Sequence, residues 1–297
     1  MCIRDSSKYA SITVNQYGRE FASGGMNEAG LVIGLMALDE TQYPEVDERS
    51  SAGVLDWIQY QLDVSGDIDE VLMNAASIRV ATGSKGCHFL IADKSGRAVT
   101  IEYLGGVLVT HHDATLPNAV LTNHTYDQSL AYLQNITGFG GAQPVPNGID
   151  SLERFARTAS MVRRTSSGAD AVDRAFAILE SAHAPNWTRW RIVYDPAAAT
   201  VYFRTDRNME LRWVSFASFD GACASAVQVL DINAPGSGDV APYFTDYDTA
   251  ANLALINRSY SETPSLQNWS EAGRLAWAAH GEIGTCVVPR RGRSVRH

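Results

Sequence analysis

Apolar and polar residues alternate between Cys87 and Leu130 in a way that predicts an antiparallel β-meander. Three β-prone runs, at residues 89–92, 98–104 and 107–110, are separated by the glycine-containing turns at 94–96 and 105–106. A fourth short strand is predicted at 119–122, and it ends at the polar residue Asn123. A carboxamide at the end of a buried strand can aim N–H donors into a cleft, although an asparagine there is more often a turn former.

Elsewhere the spacing of the apolar positions separates strands from helices. Further strands are predicted at residues 7–14, 31–38, 190–194, 200–205 and 212–216. Helices are predicted at residues 51–63, 68–78, 149–163, 169–181 and 249–256. These elements come in blocks rather than in strict alternation, a pattern that two stacked antiparallel sheets with helices outside would bury. Periodicity fades from Glu262 onward, so little tertiary packing is expected there.

Composition limits the classes of partner. The formal net charge is −9, and four of the 24 basic residues lie in the last eight positions, so the sequence disfavours nucleic acid as a partner. Four cysteines without C-x-x-C spacing disfavour a zinc ribbon or a redox pair. No apolar run reaches the roughly 18 residues of a membrane span. A periplasmic or secreted location and a cytoplasmic one both stay open.

Four segments resemble, in the same order, motifs of the choloylglycine hydrolase and penicillin V acylase family of N-terminal-nucleophile cysteine amidases. They are GGMNEAGLVIGLMAL, HFLIADKSGRAVTIEY followed by VLTNHTYDQSL, SLERFAR, and WTRWRIVYDPAAATVYFRT. The resemblance runs from about Ser7 to about Ile256. It implies an α+β fold, a four-layer αββα sandwich over residues 7–260, with a small-molecule amide as substrate and no cofactor.

The first segment of that family, a processed N-terminal cysteine followed by an R-x-M-D-W-like stretch, has no match here. We therefore expect an N-terminally truncated chain that lacks the first strands of the sandwich. Residues 1–6 would be an unrelated scar and residues 261–297 a poorly ordered tail. Unpaired sheet edges would then favour association into a homo-oligomer. Cys2 would stand in the nucleophile's place by coincidence, and the chain would be inactive; the opposite interpretation is that removal of Met1 exposes a working Cys2.

The resemblance also implies roles for individual residues. Asn123 would donate its side-chain N–H to the tetrahedral oxyanion, and Arg154 would stabilise the thiolate and orient the scissile amide. Ser51 lies near the position whose backbone N–H completes the oxyanion hole, although a helix N-cap is the stronger interpretation. For Arg154 the alternative is a surface salt bridge, and Arg157 on the same helix face is expected at the surface.

Other candidates have simpler structural explanations. His111 and His112 point to opposite faces of a strand, so no metal site is predicted. Cys87 is expected to be buried packing, and Trp187 and Trp190 to be core residues or the lining of an acyl pocket. Two functions remain. One is a cysteine amidase acting on conjugated bile salts, penicillin V or N-acyl homoserine lactones. The other is a non-catalytic small-ligand-binding or assembly domain on the same scaffold.

Overall fold

The computed structural model describes residues 7–19, 21–165, 168–222, 225–264 and 266–280. The strands are β1 Ser11–Asn15, β2 Ala22–Asn27, β3 Val32–Ala37, β4 Ser51–Ala52, β5 Arg79–Val80, β6 Cys87–Ala92, β7 Ala98–Leu104, β8 Val107–His112, β9 Trp190–Asp195, β10 Thr200–Thr205, β11 Asn208–Ser215, β12 Gln228–Val229, β13 Gly238–Asp239 and β14 Thr245–Asp246. The helices are α1 Val54–Val64, α2 Ile68–Ser77, α3 Tyr126–Leu133, α4 Ser151–Arg164, α5 Ala171–Ser181, α6 Thr249–Glu262 and α7 Glu271–His280.

The larger sheet has six antiparallel strands in the order β1-β2-β3-β6-β7-β8. The predicted meander is confirmed as β6, β7 and β8, with Phe89 opposite Ile101 and Leu104 opposite Val107. These three strands fill one end of the sheet rather than its centre, since β8 is an edge strand.

The predicted fourth strand at 119–122 is wrong, because these residues adopt no regular secondary structure and join no sheet. Its backbone groups are satisfied by other means. The Val120 N–H bonds the nearby Asn118 carbonyl at 2.8 Å, and the Thr122 carbonyl accepts from a histidine side chain, His88, at 2.7 Å. Apolar composition suggested a strand, but the segment has no neighbouring strand with which to pair.

The smaller sheet has the order β13-β11-β10-β9 and lies face to face with the larger one. Met26 of β2 meets Val201, Phe203 and Val214 of β10 and β11 in one buried apolar cluster. On the outer side of the smaller sheet, the Arg204 guanidinium lies over the Phe176 ring of α5, 4.6 Å from its centroid. Side chains of one strand alternate between faces, so Phe203 and Arg204 pack on opposite layers.

Helices α1 and α2 cover the outer face of the larger sheet. Trp57, Ile58 and Leu62 recur at helical spacing on α1 and are fully buried, and the Trp57 ring lies 4.5 Å from that of Phe89 on β6. The layers therefore run helix, sheet, sheet, helix, which confirms the predicted four-layer α+β sandwich. Helix α1 begins later than expected, with Gly53 as its N-cap, so the N-cap interpretation of Ser51 is wrong.

The last two helices pack on the start of the chain. The Trp277 ring of α7 stacks on Phe21 at 4.0 Å, and Tyr17 meets Tyr260 of α6 at 6.0 Å. The expectation of little packing after Glu262 is therefore wrong for residues 266–280, where the Trp269 ring also meets those of Tyr260 and Trp277, and residues 281–297 lie outside the described residues. None of the helices described between residues 7 and 280 has both the length and the apolar character that crossing a membrane requires.

Candidate active site

Two hydrogen bonds fix the orientation of the Asn123 side-chain carboxamide. Its Nδ2 donates to the Ala37 carbonyl at the end of β3, at 2.9 Å, and its Oδ1 accepts from the Arg154 guanidinium at 2.7 Å. A carbonyl only accepts and a guanidinium only donates, so these partners fix which end of the carboxamide carries the N–H groups. Within the described part of the chain, the second Nδ2–H makes no hydrogen bond.

Arg154 reaches Asn123 from the first turn of α4. Besides the bond to Asn123, its Nε donates to the Ile149 carbonyl at 3.0 Å. No carboxylate of the described residues pairs with it, because Asp150 caps the helix by accepting from the Leu152 N–H at 2.9 Å. The surface salt-bridge interpretation is therefore wrong. Partial burial lowers the pKa of Arg154, with a further lowering from Arg157 and an opposing effect of Asp150; an arginine nevertheless stays charged.

The start of α4 also holds the backbone of Asn123. The Asn123 N–H donates to Ser151 Oγ at 2.8 Å, and Ser151 Oγ in turn donates to Thr122 Oγ1 at 3.0 Å. The Thr122 hydroxyl donates to the Ser151 carbonyl, also at 3.0 Å. Asn123 and Arg154 thus lie together at the N-terminal end of α4, the positive end of the helix dipole, which favours negative charge.

The structure does not join Ser51, another sequence candidate, to the Asn123–Arg154 pair. Ser51 is exposed on β4, where it pairs with Arg79, and none of the hydrogen bonds between described residues joins it to Asn123 or Arg154. Cys2 lies outside the described residues. Ser51 and Cys2 keep their predicted roles only as predictions.

The structure agrees with the sequence interpretation of Cys87 but not with that of Arg157. Cys87 is 4% exposed on β6, and burial raises the pKa of its thiol to about 11, as expected of packing rather than of a nucleophile. Arg157 was expected at the surface but is half-buried. It donates to the carbonyls of Ser181 at 2.8 Å and of Pro146 and Gly148 at 3.0 Å.

The histidines of β8 take separate partners. His111 Nε2 lies 3.1 Å from Asp127 Oδ1, and His112 Nδ1 lies 2.9 Å from Asp113 Oδ2. This separation agrees with the alternation of side chains along a strand.

A cavity of about 170 Å³ lies between the two sheets and is lined by Gly24, Gly34 and Trp190 among others. Leu35 of β3 lines it as well, two residues before the Ala37 carbonyl that binds Asn123. Trp187, by contrast, is 84% exposed, so of the two tryptophans only Trp190 faces an internal space.

Sequence reasoning missed Ser151 and the Ala37 carbonyl, which place Asn123. The capping box formed by Asp150 and Glu153 was a usable signal, because it starts α4 and so puts Ser151 on the first turn. The Ala37 carbonyl carries no signal in the sequence, since any residue offers the same backbone oxygen.

Residues 7–227 match the family described as linear amide C–N hydrolases, choloylglycine hydrolase family. The chain belongs to this family, whose members are hydrolases acting on linear amides.

Among curated proteins it is 27% identical over 252 residues to a penicillin V acylase of Pectobacterium atrosepticum, with 70% of this chain and 66% of that protein covered. The match thus spans slightly less than two thirds of that relative's length.

Solved structures show the same fold. Penicillin V acylase from Agrobacterium tumefaciens superposes with a TM-score of 0.71 at 26% identity, covering 82% of each chain. A variant of conjugated bile acid hydrolase from Clostridium perfringens superposes with a TM-score of 0.62 at 17% identity, covering 74% of this chain and 83% of that one. The second likeness concerns the fold alone. Together they identify the sandwich as the one found in these hydrolases.

Proposed function

We propose that Asn123 and Arg154 belong to the active site of a cysteine amidase that hydrolyses linear, non-peptide C–N amide bonds. The proposed substrate belongs to one of three classes: conjugated bile salts, penicillin V or N-acyl homoserine lactones. One observation carries the proposal. Arg154 fixes the orientation of the Asn123 carboxamide and leaves one of its N–H groups unused within the described residues. A preorganised donor of this kind is what a tetrahedral oxyanion needs.

In the proposed reaction a cysteine thiolate attacks the amide carbonyl carbon, and its oxygen becomes an oxyanion that accepts the free Asn123 N–H. The C–N bond then breaks, the amine leaves with a proton, and water hydrolyses the resulting thioester to a carboxylate. Removing one oxyanion donor typically costs about 2.7–4 kcal/mol of transition-state stabilisation. The unused N–H groups of Arg154 orient the substrate carbonyl and stabilise the thiolate. The Ser51 backbone N–H is the proposed second oxyanion donor.

The nucleophile of such a site is an N-terminal cysteine whose own α-amine, with a pKa near 8, acts as the base. Cys2 meets the residue type, but the short polar run behind it has no apolar alternation to hold it in a strand. A thiol without activating partners keeps a pKa near 8.5 and stays mostly protonated at neutral pH. We therefore expect no measurable turnover from the 297-residue chain.

The test of Cys2 is an assay of the chain with Met1 removed, using penicillin V, a glycine-conjugated bile salt and a long-chain acyl homoserine lactone. Turnover that disappears in Cys2→Ala would show that the expectation of inactivity is wrong.

The site can be tested without turnover, because hydrolysis would release a carboxylate that fits the same donors. We expect phenoxyacetate to bind the parent chain and to shift the NMR signal of the Asn123 carboxamide. Asn123→Ala and Arg154→Gln should each weaken binding about tenfold or more, the effect of losing one charged or oriented hydrogen bond. Arg164→Gln removes an exposed positive charge from the same helix and serves as the matched control. The proposal would be contradicted if Arg164→Gln weakened phenoxyacetate binding as much as the site variants do. It would also be contradicted if neither site variant weakened binding.

The second candidate, a non-catalytic binding domain, is favoured by the cavity between the sheets. Gly34→Ala tests it, because the added methyl would come no closer than 3.7 Å to another atom while narrowing the cavity. A small apolar ligand whose binding falls in Gly34→Ala but not in Asn123→Ala would support this candidate over the amidase.

A further inference from the structure

A histidine and a glutamate are completely buried beside the segment that carries Asn123. His88 of β6 and Glu102 of β7 both have 0% exposure, and their side chains meet across the two strands, with Nδ1 of the histidine 2.8 Å from Oε1 of the glutamate. Burying two ionisable groups costs free energy unless they are paired and fully hydrogen-bonded. Neither residue touches Arg154, and the amide chemistry proposed above does not use them.

The other atoms of the pair bond the chain on both sides of Asn123. His88 Nε2 lies 2.7 Å from the Thr122 carbonyl oxygen. Glu102 accepts the Tyr126 N–H, at 3.0 Å on Oε1 and 3.2 Å on Oε2. The pair therefore connects the larger sheet to the residue before Asn123 and to a residue shortly after it.

The acceptor chemistry fixes where the protons lie. A carbonyl oxygen only accepts, so His88 Nε2 must carry a hydrogen, and the contact between Nδ1 and Glu102 needs one further hydrogen. An imidazolium with a carboxylate satisfies these bonds, and so does a neutral imidazole with a protonated carboxyl. In both cases the Thr122 carbonyl keeps its donor.

This bond matters because the segment before Asn123 belongs to no strand. A strand would fix Thr122 through its backbone ladder, whereas here a side chain from the sheet takes the place of that ladder. Helix α4 holds the same segment from the other side through Ser151. The distance between Asn123 and the Ala37 carbonyl therefore depends on both supports.

We propose that His88 and Glu102 are positioning residues for Asn123, with the imidazole fixing the Thr122 carbonyl so that the carboxamide stays between Ala37 and Arg154. The importance of that placement for catalysis rests on the proposed function. The placement itself does not, so it can be measured in a chain that turns nothing over.

Three substitutions test separately the hydrogen bonds that the His88–Glu102 pair makes. In His88→Asn the shorter amide still reaches Glu102 but leaves the Thr122 carbonyl without a donor. In His88→Gln the longer amide reaches the Thr122 carbonyl. In Glu102→Gln the amide nitrogen takes the place of Oε1 and donates to Nδ1, its oxygen accepts the Tyr126 N–H in the place of Oε2, and a neutral His88 still donates to Thr122. Each link of the pair thus keeps one hydrogen bond, although the Tyr126 N–H loses its shorter contact.

The experiment is amide hydrogen exchange by NMR, with the signal of the Asn123 side-chain carboxamide recorded in the same samples. We expect the Asn123 backbone amide to exchange about five- to tenfold faster in His88→Asn, the ratio implied by one lost hydrogen bond. Its carboxamide signal should also move. Glu102→Gln should stay within about twofold of the parent, and His88→Gln should lie between. Amides of β3 report whether the fold is intact.

His112→Asn is the matched control, because this histidine also pairs with a carboxylate, Asp113, but does not touch the Thr122 carbonyl. Unchanged Asn123 exchange in His88→Asn would overturn the proposal. The proposal would also be overturned if the Asn123 amide exchanged more than about fivefold faster in a folded Glu102→Gln variant. This second comparison can be made even if His88→Asn does not fold. Failure of phenoxyacetate to bind would remove the proposed amidase function and leave this exchange result standing.

Discussion

Arg154 and Arg157 lie three residues apart on α4, yet the structure uses their guanidinium groups in opposite ways. Arg157 is committed to the carbonyls of three residues and ties the loop before α4 to the end of α5. Arg154 makes two bonds, one of them to Asn123, and has no carboxylate partner among the described residues. Position on the helix does not separate Arg157, which has a structural role, from Arg154, which we propose as a site residue. The two arginines differ in how many of their guanidinium N–H groups have no acceptor among the described residues.

The largest expected effect is on the structural side of this comparison. Arg157→Ala should lower the free energy of unfolding by about 3 kcal/mol, because it leaves three carbonyls without their charged donor. Urea denaturation measures the loss. Arg157→Lys should recover only part of it, since one ammonium cannot span the separated carbonyls of Ser181 and Gly148. A loss below about 1 kcal/mol for the alanine variant would remove the contrast between the two arginines.

Ser151→Ala should have the next largest effect, about 1–2 kcal/mol on unfolding. The substitution removes the acceptor of the Asn123 N–H and the donor to Thr122, in a site that is largely buried. Asp150→Ala is the matched control, because it costs about 1 kcal/mol through the lost helix cap. Only Ser151→Ala should speed hydrogen exchange at the Asn123 amide. Equal exchange in both variants would mean that α4 does not hold this corner through Ser151.

Arg154→Ala should have the smallest effect on stability, below about 1 kcal/mol, because the side chain is only partly buried and leaves few groups unsatisfied. A double-mutant cycle with Asn123→Ala should nevertheless give a coupling energy of about 0.5–1.5 kcal/mol, as directly bonded residues do. Denaturation of the two single variants and the double variant measures it. A coupling energy near zero would show that the hydrogen bond between Arg154 and Asn123 does not contribute to stability.

Much of the fold follows from local patterns in the sequence. The α4 helix was predicted at 149–163 and observed at Ser151–Arg164, and the hairpin of β9 and β10 was predicted almost to the residue. The helix predicted at 68–78 is observed as α2, Ile68–Ser77, whose N-cap Asp67 accepts the Glu70 N–H. Such features depend on periodicity, caps and turns, which act over a few residues.

The site was predictable in part. The resemblance named Asn123 and Arg154, and the structure joins their side chains directly. The strand predicted at 119–122 is wrong because a strand needs a neighbouring strand, and three apolar residues followed by a threonine do not indicate which strand would pair with them. His88 and Glu102 were missed for a similar reason. Their meeting depends on the register of β6 and β7, which places Phe89 opposite Ile101 and so the two polar residues opposite each other.

Arg154 has no carboxylate partner among the described residues, and this should have a kinetic consequence in a chain whose formal net charge is −9. An anionic ligand such as phenoxyacetate should be repelled by the net negative charge of the molecule at long range and attracted by Arg154 only at contact. Salt screens the long-range part first, since the Debye length falls to about 8 Å at physiological ionic strength. Moderate salt should therefore raise the association rate constant of such ligands, the reverse of the behaviour of electrostatically steered encounters.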